Sequence, residues 1–286
     1  MRYEAPETVE AAVALLAKAK GDAKVLAGGT DLLVQLRSGL VEPDLVVDAK
    51  RIPELKSITA EDGGFRIGAA VSGAELGEHE GVRKAWPGVV EAAELIGSTQ
   101  IQGRASMGGN LCNASPAADC VPALFAVGAR VAIVGPEGSR EVAVEEIATG
   151  PGTNSLKKGE IVVSIVLPKP PPRSGDAYLR FIPRTEMDIA VVGAGICLAL
   201  DEGGTCSDAR VALGAVAEVP LLVAEAADTL IGTTVDAAAL EALAAAAGAA
   251  CRPIDDKRGT KRFRIQVAGV LARRAAAIAL DRARKS

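Results

Sequence analysis

Two glycine pairs constrain this chain more than any other feature of its sequence. They are Gly28-Gly29, within VLAGGTDLL, and Gly108-Gly109, within SMGGNLCNASPAAD. Short polar residues follow each pair, Thr30 and Asp31 after the first and Asn110 after the second. Because glycine has no side chain, the backbone N–H groups of such a loop can close around an anion. Two loops of this kind, about eighty residues apart, favour a ligand with two phosphates that is held from both sides.

The second glycine segment is the more specific of the two, since glycine turns after strands are common. Ser106, Asn110, Ser115 and Asp119 lie within fourteen residues. This density of short hydrogen-bonding side chains exceeds what a plain connection needs. Asp119 lies near a predicted helix start, where its charge would interact with the helix dipole by roughly 0.3–1 kcal/mol. It could also accept hydrogen bonds from a ribose hydroxyl or from a cofactor amide, and the two interpretations are compatible.

A proline cluster divides the chain. The segment Leu167–Gly175 reads LPKPPPRSG, and several prolines in succession can continue neither a helix nor a sheet ladder. The cluster separates roughly 170 residues from roughly 110. We therefore predict two domains, residues 1–172 and 176–286, each long enough to bury a core of its own.

The pattern of the first domain predicts mixed helices and strands. Thr8 is a candidate N-cap for a helix with Val9, Val13 and Leu16 on one face. A βαβ-like unit follows, with strands at Lys24–Ala27 and Leu45–Asp48 and a helical turn at Asp31–Arg37. Beyond it we predict a strand at Phe65–Ala69, a helix at about Val89–Ile96, a helix opened by Ser115-Pro116 and running to Ala126, and strands of a mixed sheet at Arg130–Val134 and Ile161–Leu167.

The last third of the chain predicts a hairpin followed by helices, so the fold class is α+β. The hairpin strands are Ile189–Leu200 and Ala209–Ala217, and the helices are at about Leu221–Leu230, Ala238–Ala247 and Gln266–Arg284. The stretch VVGAG at 191–195 resembles the opening of a Rossmann fingerprint, but Leu198 occupies the third glycine position. We interpret its glycines as small residues on a tightly packed strand.

Charge and reactive side chains exclude several classes of function. The net charge is −4 and the calculated pI is 5.3, which argues against a nucleic-acid partner. The only histidine is His79, expected on an exposed polar loop, and the five cysteines form no C-x-x-C pair. We therefore predict neither catalytic residues nor a metal site in this chain. No apolar run follows Arg2 and Glu4, and Ala237–Ala250 is too short to span a bilayer, so we predict a cytoplasmic protein without a transmembrane segment.

With these segments in place, the chain resembles the FAD-binding medium subunits of the molybdenum hydroxylase family, which includes carbon monoxide and xanthine dehydrogenases. The resemblance covers essentially the full length. Five blocks in the same order carry it: AGGTDLL (27–33), SMGGNLCNASPAADCVPAL (106–124), EIVVSIVLP (160–168), RTEMDIAVVGAG (184–195) and FRIQVAGVLARRA (263–275).

The resemblance implies a first domain of the para-cresol methylhydroxylase (PCMH) type, with lobes at about 1–56 and 57–172 and extended FAD between them. A smaller C-terminal α+β domain of the CO dehydrogenase flavoprotein type would cover the flavin. Matching motifs would place Asp119 at the sugar or adjacent cofactor groups, and Arg180 where relatives often have lysine. Asp188 would have a structural or flavin-proximal role. The implied FAD-binding residues are Val25, Leu26, Ala27, Gly28, Gly29, Thr30, Asp31, Leu32, Ile96, Ser106, Met107, Gly108, Gly109, Asn110, Asp119, Val162 and Arg180.

The resemblance also implies an electron-transfer function within a larger complex. A large molybdopterin subunit would oxidise the substrate, and a small subunit would pass electrons through two 2Fe–2S clusters to the FAD of this chain. Such complexes would be dimers of heterotrimers. Thr30 and Asp31 replace the histidine and serine usual in carbon monoxide dehydrogenases, which argues against that substrate, and no histidine near the motifs could attach FAD covalently. Two alternatives stay open: a self-sufficient FAD-dependent oxidoreductase with its own substrate pocket, and a nucleotide-binding scaffold without redox activity.

Overall fold

The computed structural model describes residues 1–286 and confirms the α+β class. Three sheets form the framework, one in each of two N-terminal lobes and one in the C-terminal part of the chain. Each sheet is the centre of its own apolar core. None of the helices combines the length and the apolar character needed to cross a bilayer.

The first lobe is a small parallel sheet with two helices. Its elements are β1 (Arg2–Glu4), α1 (Val9–Lys18), β2 (Ala23–Leu26), α2 (Leu32–Arg37) and β3 (Leu45–Asp48). The strand order is β1-β3-β2, with both pairs parallel, as the predicted βαβ unit requires. The Thr8 hydroxyl accepts the Ala11 N–H at 3.2 Å, and Val9, Val13 and Leu16 are buried, so the prediction for α1 is confirmed.

The second lobe contains a five-stranded antiparallel sheet and a group of short helices. The strands are β4 (Ile58–Glu61), β5 (Gly64–Gly68), β6 (Arg130–Gly135), β7 (Gly138–Ala143) and β10 (Ile161–Leu167), with β8 (Ala148–Gly150) and β9 (Thr153–Asn154) paired separately. The helices are α3 (Gly73–Glu78), α4 (Glu80–Ala85), α5 (Pro87–Glu94), α6 (Thr99–Gln102), α7 (Met107–Cys112) and α8 (Cys120–Ala126). Short 3-10 turns cover Ala49–Arg51, Pro53–Lys56 and Val144–Glu146.

The prediction of a mixed sheet here was wrong. The strand order is β4-β5-β10-β6-β7 and every pair is antiparallel. Tight turns join β4 to β5 and β6 to β7, and strands joined by tight turns pair antiparallel. The central strand β10 comes from far along the chain and fits between the two hairpins, a pairing that no local signal announces.

Three further expectations for this lobe are corrected. The glycine segment at 106–112 is not an open loop but the short helix α7. The helix expected from Ser115-Pro116 begins only at Cys120, because Ser115 caps a single turn and the Cys120 N–H donates to the Asn110 Oδ1 at 3.1 Å. His79 is half-buried rather than exposed; its Nδ1 accepts the Val82 N–H at 3.2 Å at the start of α4.

The C-terminal part is a four-stranded antiparallel sheet with three helices. Its elements are β11 (Ser174–Phe181), β12 (Val192–Leu200), β13 (Cys206–Gly214), β14 (Leu221–Leu222), α9 (Ala224–Asp228), α10 (Ala237–Ala250) and α11 (Lys261–Lys285). The predicted hairpin is confirmed as β12 and β13. Strand β11 was not predicted, because it starts directly after the proline cluster, and α9 begins later than expected because Leu221 and Leu222 pair with β13.

Glycines let this sheet pack closely on both faces. A Cβ atom at Gly195 would lie 2.5 Å from the Pro122 carbonyl oxygen, at α8 of the second lobe. On the other face, a Cβ at Gly175 would lie 2.3 Å from the Ala279 carbonyl oxygen of α11. The interpretation of VVGAG as a tightly packed strand is therefore confirmed, since all residues of β12 are buried.

A buried carboxyl group joins the C-terminal sheet to the second lobe. Asp176 on β11 is 2% exposed, and its Oδ2 accepts the Val89 N–H at 3.1 Å. It therefore caps α5 from outside, since the N-cap residue Trp86 supplies no side-chain bond. Arg282 of α11 donates to the Asp176 carbonyl oxygen at 2.7 Å and forms an ion pair with Glu91 of α5.

The same carboxyl group should make stability depend on pH. Burial raises the pKa of Asp176 to about 7, although the Gly88 and Val89 amides and Arg282 act against the rise. Above the ordinary value of 3.8 the unfolded chain loses this proton, while the folded protein keeps it up to about pH 7. The free energy of unfolding should therefore fall as the pH rises through this window, by about 1–3 kcal/mol. Asp176→Asn should remove that part of the pH dependence in urea unfolding curves measured at both ends of the window, and a variant with an unchanged dependence would contradict the assignment.

Candidate functional site

A cavity of about 750 Å³ lies between the first and second lobes. The first lobe contributes β2, the loop that follows it and α2, while the second contributes α7 and the segment from Gly152 to Val162. Its volume is typical of a small-molecule or cofactor site. No residue beyond Val162 lines it, so the C-terminal sheet approaches the site only from outside.

The first glycine loop leaves a run of backbone donors free. Within the chain, no acceptor takes the N–H groups of Gly28, Gly29 or Thr30. Gly29 has φ +79°, the left-handed region that glycine adopts most readily, and this conformation turns the chain from β2 into α2. Consecutive free amides in such a turn form a concave anion-binding surface.

The second glycine segment presents the first turn of α7 to the same cavity. The Ser106 hydroxyl accepts the Gly109 N–H at 3.1 Å, and the N–H groups of Met107 and Gly108 have no acceptor in the chain. Gly108 packs against the second lobe, since its Cβ would lie 2.5 Å from the Ala69 carbonyl oxygen. Gly109 is different, because a Cβ there would meet only the Ser106 Oγ, at 3.2 Å.

Direct backbone contact holds the two glycine segments together. A Cβ at Gly28 would lie 1.9 Å from the Arg104 carbonyl oxygen, so the two main chains touch at this point. The Gln35 side-chain amide of α2 donates to the Asn113 Oδ1 at 3.4 Å, which adds a second link between the lobes. The cavity therefore receives free amide donors from two walls, an arrangement that suits a ligand with a diphosphate.

Most of the sequence-predicted residues come together in this cavity. Leu26 and Met107 are buried behind the walls, and Asp119 and Arg180 lie elsewhere. The predicted residues that line the cavity are Val25, Ala27, Gly28, Gly29, Thr30, Asp31, Leu32, Ile96, Ser106, Gly108, Gly109, Asn110 and Val162.

Asp119 and Arg180 form a buried ion pair between the second lobe and β11. The Arg180 Nη1 is 3.1 Å from the Asp119 Oδ2, and their side chains are 5% and 12% exposed. Burial raises the pKa of Asp119, and the neighbouring Arg180 and Tyr178 offset only part of that rise. The Arg180 Nε is buried without an acceptor in the chain, so a bound group with an oxygen or nitrogen acceptor would find a donor here.

Sequence reasoning missed several residues of the cavity wall. Gln35, Asn113 and the segment 154–160 line it, and the last includes Lys157 and Lys158. The only available signal was the charged turn KKG just before β10. Its position opposite the first lobe depends on β10 being the central strand of the antiparallel sheet, which the chain order does not show.

The cysteine that lines the cavity is unreactive, and the chain offers no metal site. Burial raises the pKa of Cys112, which lines the wall, to about 12, so its thiol stays protonated at neutral pH. No three His, Cys, Asp or Glu side chains are grouped so as to hold a metal ion. The free backbone amides suit an anionic ligand, and the one ion pair between lining side chains is the exposed pair Lys24–Asp22, with 3.5 Å between Nζ and Oδ2.

Comparisons with known proteins place the whole chain among flavoprotein subunits. Residues 1–170 match the family described as "FAD binding domain in molybdopterin dehydrogenase", and residues 177–279 match "CO dehydrogenase flavoprotein C-terminal domain". A carbon monoxide dehydrogenase medium chain from Afipia carboxidovorans is 34% identical over 282 residues, which cover 99% of this chain and 97% of that relative. A xanthine dehydrogenase FAD-binding subunit from Escherichia coli O157:H7 is 34% identical, with 93% and 91% coverage.

Solved structures show the same similarity in three dimensions. A chain of the reconstituted CO dehydrogenase from Oligotropha carboxidovorans superposes with a TM-score of 0.94 at 34% identity, covering 99% of this chain and 98% of that chain. A chain of quinoline 2-oxidoreductase from Pseudomonas putida 86 gives a TM-score of 0.91 at 28% identity with the same coverage. The similarity therefore extends over both N-terminal lobes and the C-terminal sheet.

The contact between Gly28 and Arg104 generates a test of the cavity's construction. Gly28→Ala should destabilise the folded protein by about 3 kcal/mol, because the added methyl group would overlap the Arg104 carbonyl group. The matched control is Gly103→Ala, where the Cβ would lie 3.7 Å from its nearest neighbour and should be tolerated. Urea unfolding of both variants provides the measurement, and equal midpoints for Gly28→Ala and the native protein would refute the proposed contact.

Proposed function

Because this chain belongs to the FAD-binding subunits of the molybdopterin dehydrogenase family, we propose that it takes electrons from the iron–sulfur clusters of a partner subunit and passes them through FAD to an external acceptor. The resemblance inferred from the five sequence blocks is thereby confirmed, and the chain is an oxidoreductase subunit with FAD as its cofactor. The observation that supports the electron-transfer role is the cavity itself, in which free backbone amides from two walls offer a site for a dinucleotide cofactor.

We assign the FAD diphosphate to the two sets of free amides. The N–H groups of Gly28, Gly29 and Thr30 would bind it from the first lobe, and those of Met107 and Gly108 from the second. Fixed backbone dipoles need no reorganisation when the charged ligand enters. The bound flavin supplies the redox chemistry, and the chain supplies binding, orientation and control of solvent access. Ile96 and Val162 would form apolar contacts with it.

Asp119 and Arg180 do not line the cavity, and we propose that they border the polar edge of a flavin ring that extends beyond it towards β11. The unpartnered, buried Arg180 Nε supports this assignment, because a ring carbonyl or nitrogen would satisfy it. The charge of Arg180 is held in place by Asp119, so the pair would place a fixed electrostatic environment next to the ring. Asp188, whose pKa is lowered mainly by its hydrogen bond to Arg184, is assigned a supporting role at the loop before β12.

The proposed partners are a large molybdopterin subunit and a small subunit with two 2Fe–2S clusters, assembled as a dimer of heterotrimers. The names of related proteins, such as "medium chain" and "FAD-subunit", support a multi-subunit complex. Helix α2 also supports it, because none of its residues is buried and Leu33 and Val34 are 54% and 65% exposed. Apolar side chains left exposed in this way are typical of a surface that a partner covers. The cytoplasmic location remains a prediction.

The proposed diphosphate site between the two sets of free amides can be tested with Gly109→Val. Its side chain would extend into open cavity space, since only the Ser106 Oγ lies nearby, and would take the volume assigned to the diphosphate. The purified variant should lose FAD almost completely while its thermal unfolding midpoint changes little. Flavin absorbance per polypeptide is the measurement, with Gly103→Val as the control outside this cavity. Full flavin occupancy in Gly109→Val would rule out the proposed diphosphate position.

The electron route can be tested in the assembled complex. A tagged full-length chain should co-purify with two other subunits that contain molybdenum and iron. In a complex assembled with the Gly109→Val chain, substrate should still reduce the iron–sulfur clusters, whereas reduction of the external acceptor should fall at least about tenfold, because the route through FAD is lost. Complete substrate turnover by the isolated native chain would instead support the self-sufficient oxidoreductase.

A further inference from the structure

Strand β11 carries a row of polar side chains on one of its faces. Asp176, Tyr178 and Arg180 are alternate residues, and alternate residues of a strand point to the same side of the sheet. That side faces the second lobe, because Tyr178 belongs to the apolar core of that lobe, whereas Ala177 belongs to the core that includes α11. Asp176 caps α5, and the other two members of the row meet at Asp119.

The Tyr178 hydroxyl has one hydrogen-bond partner in the chain. The side chain is 2% exposed, and its hydroxyl donates to the Asp119 Oδ1 across 3.4 Å. The Arg180 Nη1 is 3.1 Å from the other carboxylate oxygen, Oδ2. Burial raises the pKa of Tyr178 well above its ordinary value, so the hydroxyl stays protonated and remains a donor. One strand therefore holds both oxygens of the Asp119 carboxylate.

A glycine of the VVGAG segment makes room for this arrangement on the neighbouring strand. In the register of β11 with β12, Gly193 lies opposite Arg180 and Gly195 lies opposite Tyr178. A Cβ at Gly193 would lie 2.6 Å from the Tyr178 hydroxyl oxygen, so any other residue there would displace the hydroxyl. Gly193 thus does more than let two strands pack tightly, because it leaves the space next to the hydroxyl empty.

Three titratable groups surround the Asp119 carboxyl. Burial raises the pKa of Asp119, while the charge and hydrogen bond of Arg180 and the hydrogen bond of Tyr178 lower it. The third group is the adjacent Cys120 thiol, which is neutral because burial raises its pKa. Loss of the Tyr178 hydroxyl would therefore raise the pKa of Asp119 further. Once Asp119 is protonated, the charge of Arg180 has no counter-ion in the pair.

We propose that Tyr178 is a positioning residue for the flavin site, whose hydroxyl keeps Asp119 ionised and oriented so that Arg180 stays within a neutral pair. Tyr178 does not line the cavity and acts only through Asp119. This inference rests on the proposed function and on the assignment of Asp119 and Arg180 to the ring edge. Reduction adds negative charge to a flavin, so an unpaired Arg180 beside the ring would favour the reduced form more than a neutral pair does.

The test compares the redox potential of FAD bound to the full-length native chain and to Tyr178→Phe, which keeps the buried ring and deletes only the hydroxyl. At about pH 6, the ratio of the affinities for reduced and oxidised FAD should be about fivefold higher in the variant, which raises a two-electron potential by about 20 mV. The reason is that protonated Asp119 leaves Arg180 unpaired. At about pH 9, where the carboxyl group is ionised in both proteins, the two ratios should agree within about 1.5-fold. Equilibration with a reference dye provides the measurement.

Two further variants separate positioning from general packing. Gly193→Ala should raise the potential at about pH 6 in the native background, because its methyl group displaces the Tyr178 hydroxyl. It should add nothing in the Tyr178→Phe background, where that hydroxyl is already gone. The matched control is Tyr3→Phe, since Tyr3 also donates to a buried carboxyl group, that of Asp48, and neither residue lines the cavity. Its FAD potential should equal that of the native chain.

The outcomes distinguish this inference from the proposed function. A Tyr178→Phe potential equal to the native one at about pH 6, or a shift of the same size at about pH 9, would overturn the positioning role and leave the FAD electron-transfer role standing. An equal shift in Tyr3→Phe would also overturn it, because the effect would then not be specific to the Asp119 pair. A native chain that binds no FAD would overturn the proposed function and this inference together.

Discussion

The approach of Gly28 to the Arg104 carbonyl group is the contact on which the functional part of this structure depends. It brings the main chains of two separate lobes together without an intervening side chain. As a result, free amides after β2 and free amides at the start of α7 belong to one cavity rather than to two unrelated turns. A side chain at position 28 would push the lobes apart, and the donors would no longer converge on one ligand. The convergence of free amides on one cavity is thus a consequence of lobe packing.

The packing of the C-terminal sheet likewise depends on glycines, which lack side chains, and in addition on buried charged groups. Gly195 lets β12 lie directly on α8, and the ion pair of Arg180 with Asp119 connects the same surfaces. Asp176 caps a helix that belongs to the other lobe. Breaking a buried pair by removing one partner is costly because the other charge is left unpaired. These contacts therefore fix the C-terminal sheet next to the proposed flavin end of the cavity, where a small shift would change the surroundings of the ring.

Local sequence patterns predicted the elements whose stability is local. Helix α1 has its own cap and apolar face, and strands β3 and β10 consist mainly of apolar residues, so their positions agree with the structure to the residue or nearly so. The errors occur where a distant partner decides the outcome. Strand β11 follows prolines and forms because β12 pairs with it, whereas α8 starts late because Asn110 takes the Cys120 amide. The sheet of the second lobe was expected to be mixed because the insertion of β10 between two hairpins has no local signature.

By itself, the sequence determined the fold class, the glycine positions and the family, because a missing Cβ and an ordered set of motifs can be read directly from the letters. It also located thirteen of the 36 residues that line the cavity, most of them next to the two glycine pairs. Only the tertiary structure decided that Gly28 serves lobe packing while Gly109 faces open space, and that Asp119 and Arg180 lie outside the cavity as an ion pair. It alone brought Lys157 and Lys158 to the cavity rim. The physical reason is that the direction of a side chain, and the backbone it would meet, depend on the packing of segments far apart in the chain.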